Sequence, residues 1–124
     1  MAQILLDTDV IISILRGTES VIHQAEDHQH EGAWFSHSTI TVAELWQGIR
    51  PAEEAAIRRF LEQTICLPVT ETVGRQAGVY LQRYRRSYGL TFPDAIIAAS
   101  AAVHRLPLWT LNRRHYPMPE LSLL

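Results

Sequence analysis

The fold of this chain is constrained most by a regular alternation of short apolar runs with longer segments of helical periodicity. The apolar runs predict four strands, at residues 3–7, 33–38, 65–69 and 106–111, and a candidate fifth strand at an edge, at 121–124. The segments between them predict helices at about 9–16, 18–30, 39–50, 51–63, 71–88 and 92–105. Strands that alternate with helices pair in parallel through right-handed crossovers. We therefore expect an α/β fold with a mostly parallel central sheet of four to five strands, flanked by helices.

Size, charge and composition exclude several classes of protein. The 124 residues contain no repeat and no linker, so we predict a single domain over 1–124. No apolar run approaches the roughly 18 residues that span a bilayer, and no secretory leader is evident, which predicts a soluble, cytoplasmic protein without membrane contact. The net charge of −2 gives only weak long-range attraction for nucleic acid. All 11 basic residues are arginine, which excludes lysine-dependent chemistry. The single cysteine, Cys66, is predicted to be buried and inert.

Two carboxylates interrupt the most apolar stretch near the N-terminus, ILLDTDVII at 4–12. Asp7 ends the predicted strand and has no evident basic neighbour, although a buried charge is costly unless something pairs with it. Asp9 has a simpler explanation, because an aspartate at the start of a helix caps the first backbone N–H groups. The chain must therefore either turn a corner at these residues or hold a cation there.

Polar residues from other segments are expected at the same edge of the sheet, because ligands bind at the carboxyl ends of parallel strands. Glu44 lies in the first turn of the helix after the second strand, and Asp94 in the first turn of an alanine-rich helix. Thr110 and Asn112 follow the fourth strand. Together with Asp7, these residues would bring three carboxylates to one end of the sheet.

Glu44 and Asp94 also have purely structural explanations. Thr41-x-x-Glu44 has the spacing of a capping box, in which the glutamate only satisfies a backbone N–H. Asp94 follows Pro93 at a helix start, where the helix dipole favours any acid. For both residues the structural and the functional explanation remain open at this point.

Clustered carboxylates repel one another, so one of them takes up a proton unless a counter-charge is present. A divalent cation supplies that charge, and Mg²⁺ and Mn²⁺ prefer oxygen ligands and keep several waters. Such a cation makes bound water more acidic and neutralises charge on phosphodiester oxygens. The predicted cluster therefore suits metal-dependent hydrolysis of a phosphate ester.

Four segments in order resemble the motifs of a known family: LLDTDVII, TVAELWQGI, FPDAIIAASA and LWTLNRRHYP. They are similar to the PIN-domain fold and, within it, to the VapC-type toxins of bacterial toxin–antitoxin pairs, and the resemblance covers nearly the whole chain. It implies a three-layer PIN-like fold and a Mg²⁺- or Mn²⁺-dependent endoribonuclease. The acidic site would include Asp7, Glu44 and Asp94. The resemblance also implies an RNA substrate, a cognate VapB-like antitoxin protein that blocks the site, and a homodimer.

The chain departs from this family pattern at Asn112, where PIN domains often carry a fourth acid. Many VapC-like sequences are similar to this one there, so the departure does not exclude activity. In the expected mechanism, Asp7, Glu44 and Asp94 place the metal directly or through water, and a metal-activated water attacks the phosphodiester in line. Asn112 is expected in the catalytic group because its amide can still accept a hydrogen bond from a metal-bound water, or bind the metal weakly through its carbonyl oxygen, although it brings no charge.

Further side chains around this centre are candidates for binding substrate or supporting the ligands. These are Thr8, Thr110, Arg113 and Arg114. Thr110 is expected to orient water or phosphate, and the two arginines offer planar forks for phosphate oxygens.

Two other functions compete with this interpretation. In a haloacid-dehalogenase-like phosphatase, Asp7 would be the nucleophile and Asp9 the acid, but that family also uses a lysine, which this chain lacks. A PIN-like module that binds RNA or a partner without cleaving it is the second alternative, because Asn112 replaces an acid. Titration with manganese distinguishes the non-cleaving module from an intact metal site, because a degenerate module should show no metal-dependent gain in folding stability.

The predicted long helix carries a stripe of aromatic and basic residues: Tyr80, Tyr84 and Tyr88, with Arg83, Arg85 and Arg86 between them. Aromatic stacking combined with arginine–phosphate contacts holds single-stranded RNA in many proteins. A tyrosine stripe at helical spacing is also typical of a core or an interface, so dimer, antitoxin and RNA contacts all remain open.

The histidines and tryptophans give weaker indications. His28 and His30 lie on a polar helix and are predicted to face solvent. His115 lies close to the proposed centre in sequence and is a candidate for supporting a ligand. Trp34 and Trp46 belong either to the core or to a groove for a partner.

Overall fold

The computed structural model of the chain describes residues 2–124, which contain a four-stranded parallel sheet. Its strands are β1 (Gln3–Leu6), β2 (Trp34–Ser38), β3 (Ile65–Leu67) and β4 (Leu108–Trp109). The strand order is β3-β2-β1-β4, so the first and last strands of the chain are neighbours. The order therefore reverses at β1, and in such sheets the carboxyl ends of the strands form a crevice at that point.

Six α-helices accompany the sheet within the described residues. They are α1 (Thr8–Leu15), α2 (Glu19–His30), α3 (Thr39–Gln47), α4 (Glu54–Glu62), α5 (Glu71–Tyr88) and α6 (Phe92–His104). Their order confirms the predicted α/β fold with a parallel sheet.

Most strands and helices end within a few residues of their predicted bounds, but at two places the type of element itself differs from the prediction. Pro51 begins a 3-10 turn (Pro51–Glu53) and not α4 itself. The segment 121–124 forms one bridge, between Leu123 and Leu108, in place of a fifth strand. Because β4 has only two residues, few of its backbone groups are available to pair with a fifth strand at its outer edge.

Alternate side chains of β1 pack into two different hydrophobic cores, one on each face of the sheet. Leu5 packs into the core that α5 and α6 cover, together with Leu108. Ile4 and Leu6 point to the other face and pack with residues of α1, α2 and α4. Side chains of a strand alternate between faces, so a continuous apolar strand is buried on both. The result is the three-layer arrangement that the resemblance implied.

The prediction for Cys66 was wrong, because its side chain is exposed. It lies in β3, a three-residue strand at the edge of the sheet in which only Leu67 is buried. An apolar run suggested a buried strand, but a short edge strand leaves most of its residues accessible. No helix among residues 2–124 is long and apolar enough to cross a membrane.

The tyrosine stripe of α5 divides between the core and the surface. Tyr80 is buried and its hydroxyl donates to Glu120, Tyr84 is half-buried, and Tyr88 is exposed. The arginines between them are exposed, at positions 83, 85 and 86. Only the outer end of the stripe is therefore available to a partner or to RNA.

The remaining aromatic residues also take different positions. The ring of His28 packs 5.3 Å from that of Trp109 between centroids and is half-buried, so the predicted solvent position was wrong for His28 and right for His30. Trp46 is half-buried under the guanidinium of Arg58. Trp34 is largely exposed on β2.

Candidate active site

A cavity of about 280 Å³ opens at the carboxyl end of the sheet. Its lining consists of Asp7, Thr8, Asp9, Ile12, Glu44, Asp94, Asn112 and His115. The predicted residues Asp7, Glu44, Asp94 and Asn112 are therefore brought together from four distant segments. Asp9 joins them as a fourth carboxylate that the sequence analysis had assigned to helix capping.

Asp7 ends β1, is 5% exposed, and holds the two segments around it in place. One carboxylate oxygen, Oδ1, accepts the N–H of Thr8 at 2.8 Å, so Asp7 is the N-cap of α1. The other, Oδ2, accepts the hydroxyls of Thr110 and Tyr116, each at 2.8 Å. The capping role predicted for Asp9 was wrong, because the helix begins directly after the strand, at Thr8.

Burial raises the pKa of Asp7 from 3.8 to about 7. The charges of Asp9 and Asp94 add to this increase, and the hydroxyls of Thr110 and Tyr116 oppose it by donating to the ionised form. Near neutral pH this carboxylate is therefore poised between its two protonation states unless a cation compensates its charge.

Tyr116 links two of the acidic segments. Its buried hydroxyl donates to Asp7 Oδ2 and lies 3.3 Å from Asp94 Oδ1. Burial and the neighbouring carboxylates raise the pKa of the Tyr116 phenol, so it stays protonated and remains a donor. Tyr116 was not among the site residues predicted from the sequence, and the available signal for it was its position in the same motif as Asn112, LWTLNRRHYP.

Glu44 projects from α3 toward the end of β1. The hydroxyl of Thr8 donates to Glu44 Oε1 at 2.7 Å and lies 2.9 Å from the hydroxyl of Thr41. The cap of α3 is Ser38, which accepts the N–H of Ile40, so the capping-box explanation of Glu44 was wrong. Burial raises the pKa of Glu44, and the nearby aspartates add to the effect.

Asp94 lies in the first turn of α6, where the dipole favours it, but its carboxylate is not the cap. Thr91 is the N-cap and accepts the Asp94 N–H at 3.3 Å. Asp94 Oδ2 lies 3.2 Å from Nδ1 of His115, which therefore occupies the supporting position considered from the sequence. Asn112 directs its amide nitrogen to the same ring, 3.1 Å from Nδ1, and its N–H donates to Thr110.

The two threonines and two arginines predicted around the centre take different positions. Thr8 lines the cavity, whereas the hydroxyl of Thr110 lies between Asp7 and the Asn112 backbone. Arg113 and Arg114 are exposed in a 3-10 turn (Arg113–His115) and do not line the cavity.

The oxygen-rich lining fits a hard divalent cation. Four carboxylates surround the cavity, and no arginine of the described residues lines it. Within residues 2–124, no three side chains of His, Cys, Asp or Glu converge closely enough to ligate one ion together. Mg²⁺ is commonly bound by one or two carboxylates and keeps several waters, so the remaining acids would act through water.

An apolar groove adjoins the acidic cavity. Its lining includes Leu15, Leu45, Ile49, Ala52 and Ile57. Ile12 and Glu44 line both the groove and the cavity. The groove and the acidic cavity therefore adjoin at these two residues.

A family model, a curated relative and solved structures that are similar to this chain all agree on one family. Residues 4–121 match the family model of the PIN domain. Ribonuclease VapC10 of Mycobacterium tuberculosis is 39% identical over 118 residues, covering 94% of this chain and 88% of that protein. VapBC2 from Rickettsia felis, crystallised with a DNA fragment from its promoter, matches with a TM-score of 0.82 at 19% identity, over 98% of this chain and 97% of the matched chain. A toxin–antitoxin complex from Klebsiella pneumoniae matches with a TM-score of 0.75 at 25% identity, over 98% and 96%.

Proposed function

The chain belongs to the PIN-domain family and falls among its VapC proteins, and from this premise we propose that it is a Mg²⁺- or Mn²⁺-dependent endoribonuclease toxin of the cytoplasm. It hydrolyses RNA phosphodiester bonds and is inhibited by a cognate VapB-like antitoxin. The observation that carries this proposal is the convergence of Asp7, Asp9, Glu44 and Asp94 on one cavity whose lining contains no arginine and a single histidine, His115.

Each side chain of the cavity has a task in this reaction. Asp7, Glu44 and Asp94 would hold the cation directly or through water. A bound cation supplies a Lewis acid that makes a nearby water more acidic and neutralises charge developing on the phosphate. Thr110 and Thr8 fix the orientation of Asp7 and Glu44, respectively, by donating hydrogen bonds to them.

The amide of Asn112 orients water or phosphate at the rim of the cavity. Its side chain is exposed there, and its backbone is held by Thr110. Arg113 and Arg114 follow it directly and are exposed, which leaves both guanidinium groups free to bind the flanking phosphates of an RNA strand.

We propose that the antitoxin binds the apolar groove beside the cavity. The relative from Klebsiella pneumoniae is described as a toxin–antitoxin complex. A segment of the antitoxin with apolar side chains fits the groove, and its end would block the carboxylates through the shared residues Ile12 and Glu44.

The groove is tested by enlarging one side chain that lines it. Ala52 is exposed in the groove, so Ala52→Arg should abolish co-purification of the product of a flanking antitoxin gene without unfolding the protein. Ala43→Arg is the matched control, because Ala43 is exposed on α3 but lines neither the groove nor the cavity. Equal loss of binding in both variants, or in neither, would contradict the proposed location.

A homodimer is proposed from the same family. Tyr88 and Phe92 are exposed apolar residues on either side of the α5–α6 turn, with Phe92 63% exposed. Light scattering after size-exclusion chromatography should give twice the 14.1 kDa mass of one chain. A mass of one chain at all concentrations would remove the dimer from the proposal.

The proposed function is tested by incubating the purified protein, freed of any antitoxin, with total bacterial RNA in EDTA, Mg²⁺ or Mn²⁺. New 5′ ends are then mapped. We expect discrete cuts that require metal and disappear in Asp94→Asn. Folded protein that makes no cuts with either metal would instead support the non-cleaving binding module, and Asn112→Asp would then be the first variant to examine.

A further inference from the structure

We propose that Asp9 supplies the fourth carboxylate of the metal centre. In this chain the family's position for a fourth acid is occupied by Asn112, and Asp9 lies elsewhere in the sequence. This inference rests on the proposed function and adds a residue to its machinery. The family pattern places an acid after the fourth strand, whereas this chain places the additional acid in the first turn of α1.

The hydrogen bonding of Asp9 leaves its carboxylate free to act in the cavity. It is half-buried and accepts the backbone N–H of Leu111, at 3.2 Å from Oδ2 and 3.4 Å from Oδ1. The backbone N–H of Val10 also favours the ionised form of Asp9, but a carboxylate has about four lone-pair positions, so oxygen positions remain available to a cation or its water. Asp7 differs, because one N–H and two hydroxyls already occupy its oxygens.

The contact with Leu111 places Asp9 next to the position of the missing acid. Leu111 directly precedes Asn112, so the Asp9 side chain reaches the backbone from which a fourth acid would project. The Asn112 amide is neutral and its nitrogen lies 3.1 Å from His115. Asp9 and Asn112 both line the cavity, and Asp9 is the one that brings a negative charge.

Asp9 is also electrostatically part of the acidic group. Asp9 lines the same cavity as Asp7 and Asp94, so its negative charge acts on the same space as theirs. A cation bound among these side chains would interact with Asp9 as it does with its neighbours. Removal of the Asp9 charge should therefore weaken cation binding even where Asp9 does not ligate directly.

Asp9→Asn separates this role from a purely structural one. Asparagine keeps an oxygen that accepts the Leu111 N–H, so the segment at 110–112 stays anchored while the charge is lost. We measure Mn²⁺ affinity by calorimetry on the full chain, together with the unfolding temperature in EDTA. We expect about tenfold weaker Mn²⁺ binding, as is typical when a group supporting a metal is removed, with no loss of stability in EDTA.

The rescue variant Asp9→Asn/Asn112→Asp returns the fourth carboxylate to the segment after β4. We expect it to regain most of the lost Mn²⁺ affinity, whereas Asp27→Asn, an exposed aspartate on α2, should bind like the wild type. Unchanged affinity in Asp9→Asn would overturn the inference and leave Asp9 as an anchor for Leu111. Weakened binding that Asn112→Asp does not restore would overturn it too.

The two proposals fail in different ways in this experiment. A wild-type chain that binds no Mn²⁺ contradicts the metal-dependent function and with it the role of Asp9. A wild-type chain that binds Mn²⁺ and cleaves RNA, with Asp9→Asn indistinguishable from it, contradicts only the role of Asp9.

Discussion

At the scale of single residues, the catalytic role proposed for Asp7 opposes the effect of its carboxylate on stability. Its burial at the end of β1 places it where a cation and a phosphate can be held, and the same burial raises its pKa to about 7. The ionised side chain therefore costs the metal-free folded state about 4 kcal/mol above pH 7, relative to the unfolded chain. The proposed cation would offset this cost when bound, and folding stability would then depend on metal binding at the site.

The metal-free protein should lose stability as the pH rises from about 4 to about 7. Between these values Asp7 keeps its proton in the folded state and loses it in the unfolded state, so the folded state binds more protons. The raised pKa values of Asp9 and Glu44 act in the same direction. Urea unfolding in EDTA at pH 5 and pH 8 measures this, and greater stability at pH 8 would contradict it.

Asp7→Asn removes the ionised group and should change stability and activity in opposite directions. In EDTA at pH 8 we expect the variant to be more stable than the wild type by about 1–3 kcal/mol, because the gain exceeds the loss of about 1 kcal/mol from a weakened cap. RNA cleavage should be abolished. The stability advantage of Asp7→Asn over the wild type should be smaller at pH 5. An Asp7→Asn variant that cleaves RNA normally would refute the proposed site.

Tyr116→Phe tests the hydroxyl that links Asp7 with Asp94. The ring still fills its buried position, while Asp7 Oδ2 loses a donor. We expect a loss of about 1–3 kcal/mol, the range for a hydrogen bond to a charged group, when unfolding is measured in EDTA at pH 8. Wild-type stability under these conditions would show that the bond contributes nothing.

At the scale of elements, periodicity and turn residues were enough to predict the six α-helices and four strands found within residues 2–124. The errors lie where tertiary context decides. An apolar run predicts a strand but does not reveal that β3 is at the edge, so the exposure of Cys66 could not be predicted. Likewise, the polar pattern of α2 did not reveal that His28 packs on Trp109, which comes from a distant part of the chain.

Substitution by alanine should change stability in opposite directions at a glycine within α5 and at the glycine that follows it. Gly78 is in the middle of the helix with no atom within 4 Å of an added Cβ, so Gly78→Ala should stabilise the protein by about 0.5–1 kcal/mol. Gly89 ends the helix with φ of +64°, so Gly89→Ala should destabilise it by about 1–2 kcal/mol. Chemical denaturation measures both, and equal effects would contradict the described end of α5.

At the scale of the whole molecule, the carboxyl ends of parallel strands predicted which distant residues meet. Asp7, Glu44, Asp94 and Asn112 line one cavity because each follows or lies near a strand end. The strand-end rule could not predict that Asp9 lines the cavity or that Tyr116 donates to Asp7, since both depend on the direction of a side chain. The first residue of α1 decides which aspartate caps it: the helix begins at Thr8, so Asp7 is the N-cap, whereas a helix that began at Val10 would be capped by Asp9.

The most direct measurement follows Mn²⁺ binding and RNA cleavage on the same sample over one metal titration. If the cavity carboxylates hold the cation that hydrolysis requires, half-maximal binding and half-maximal cleavage should occur at the same Mn²⁺ concentration, and Asp94→Asn should lose both. Cleavage that persists in EDTA, or that survives in Asp94→Asn, would contradict a metal-dependent site at these residues.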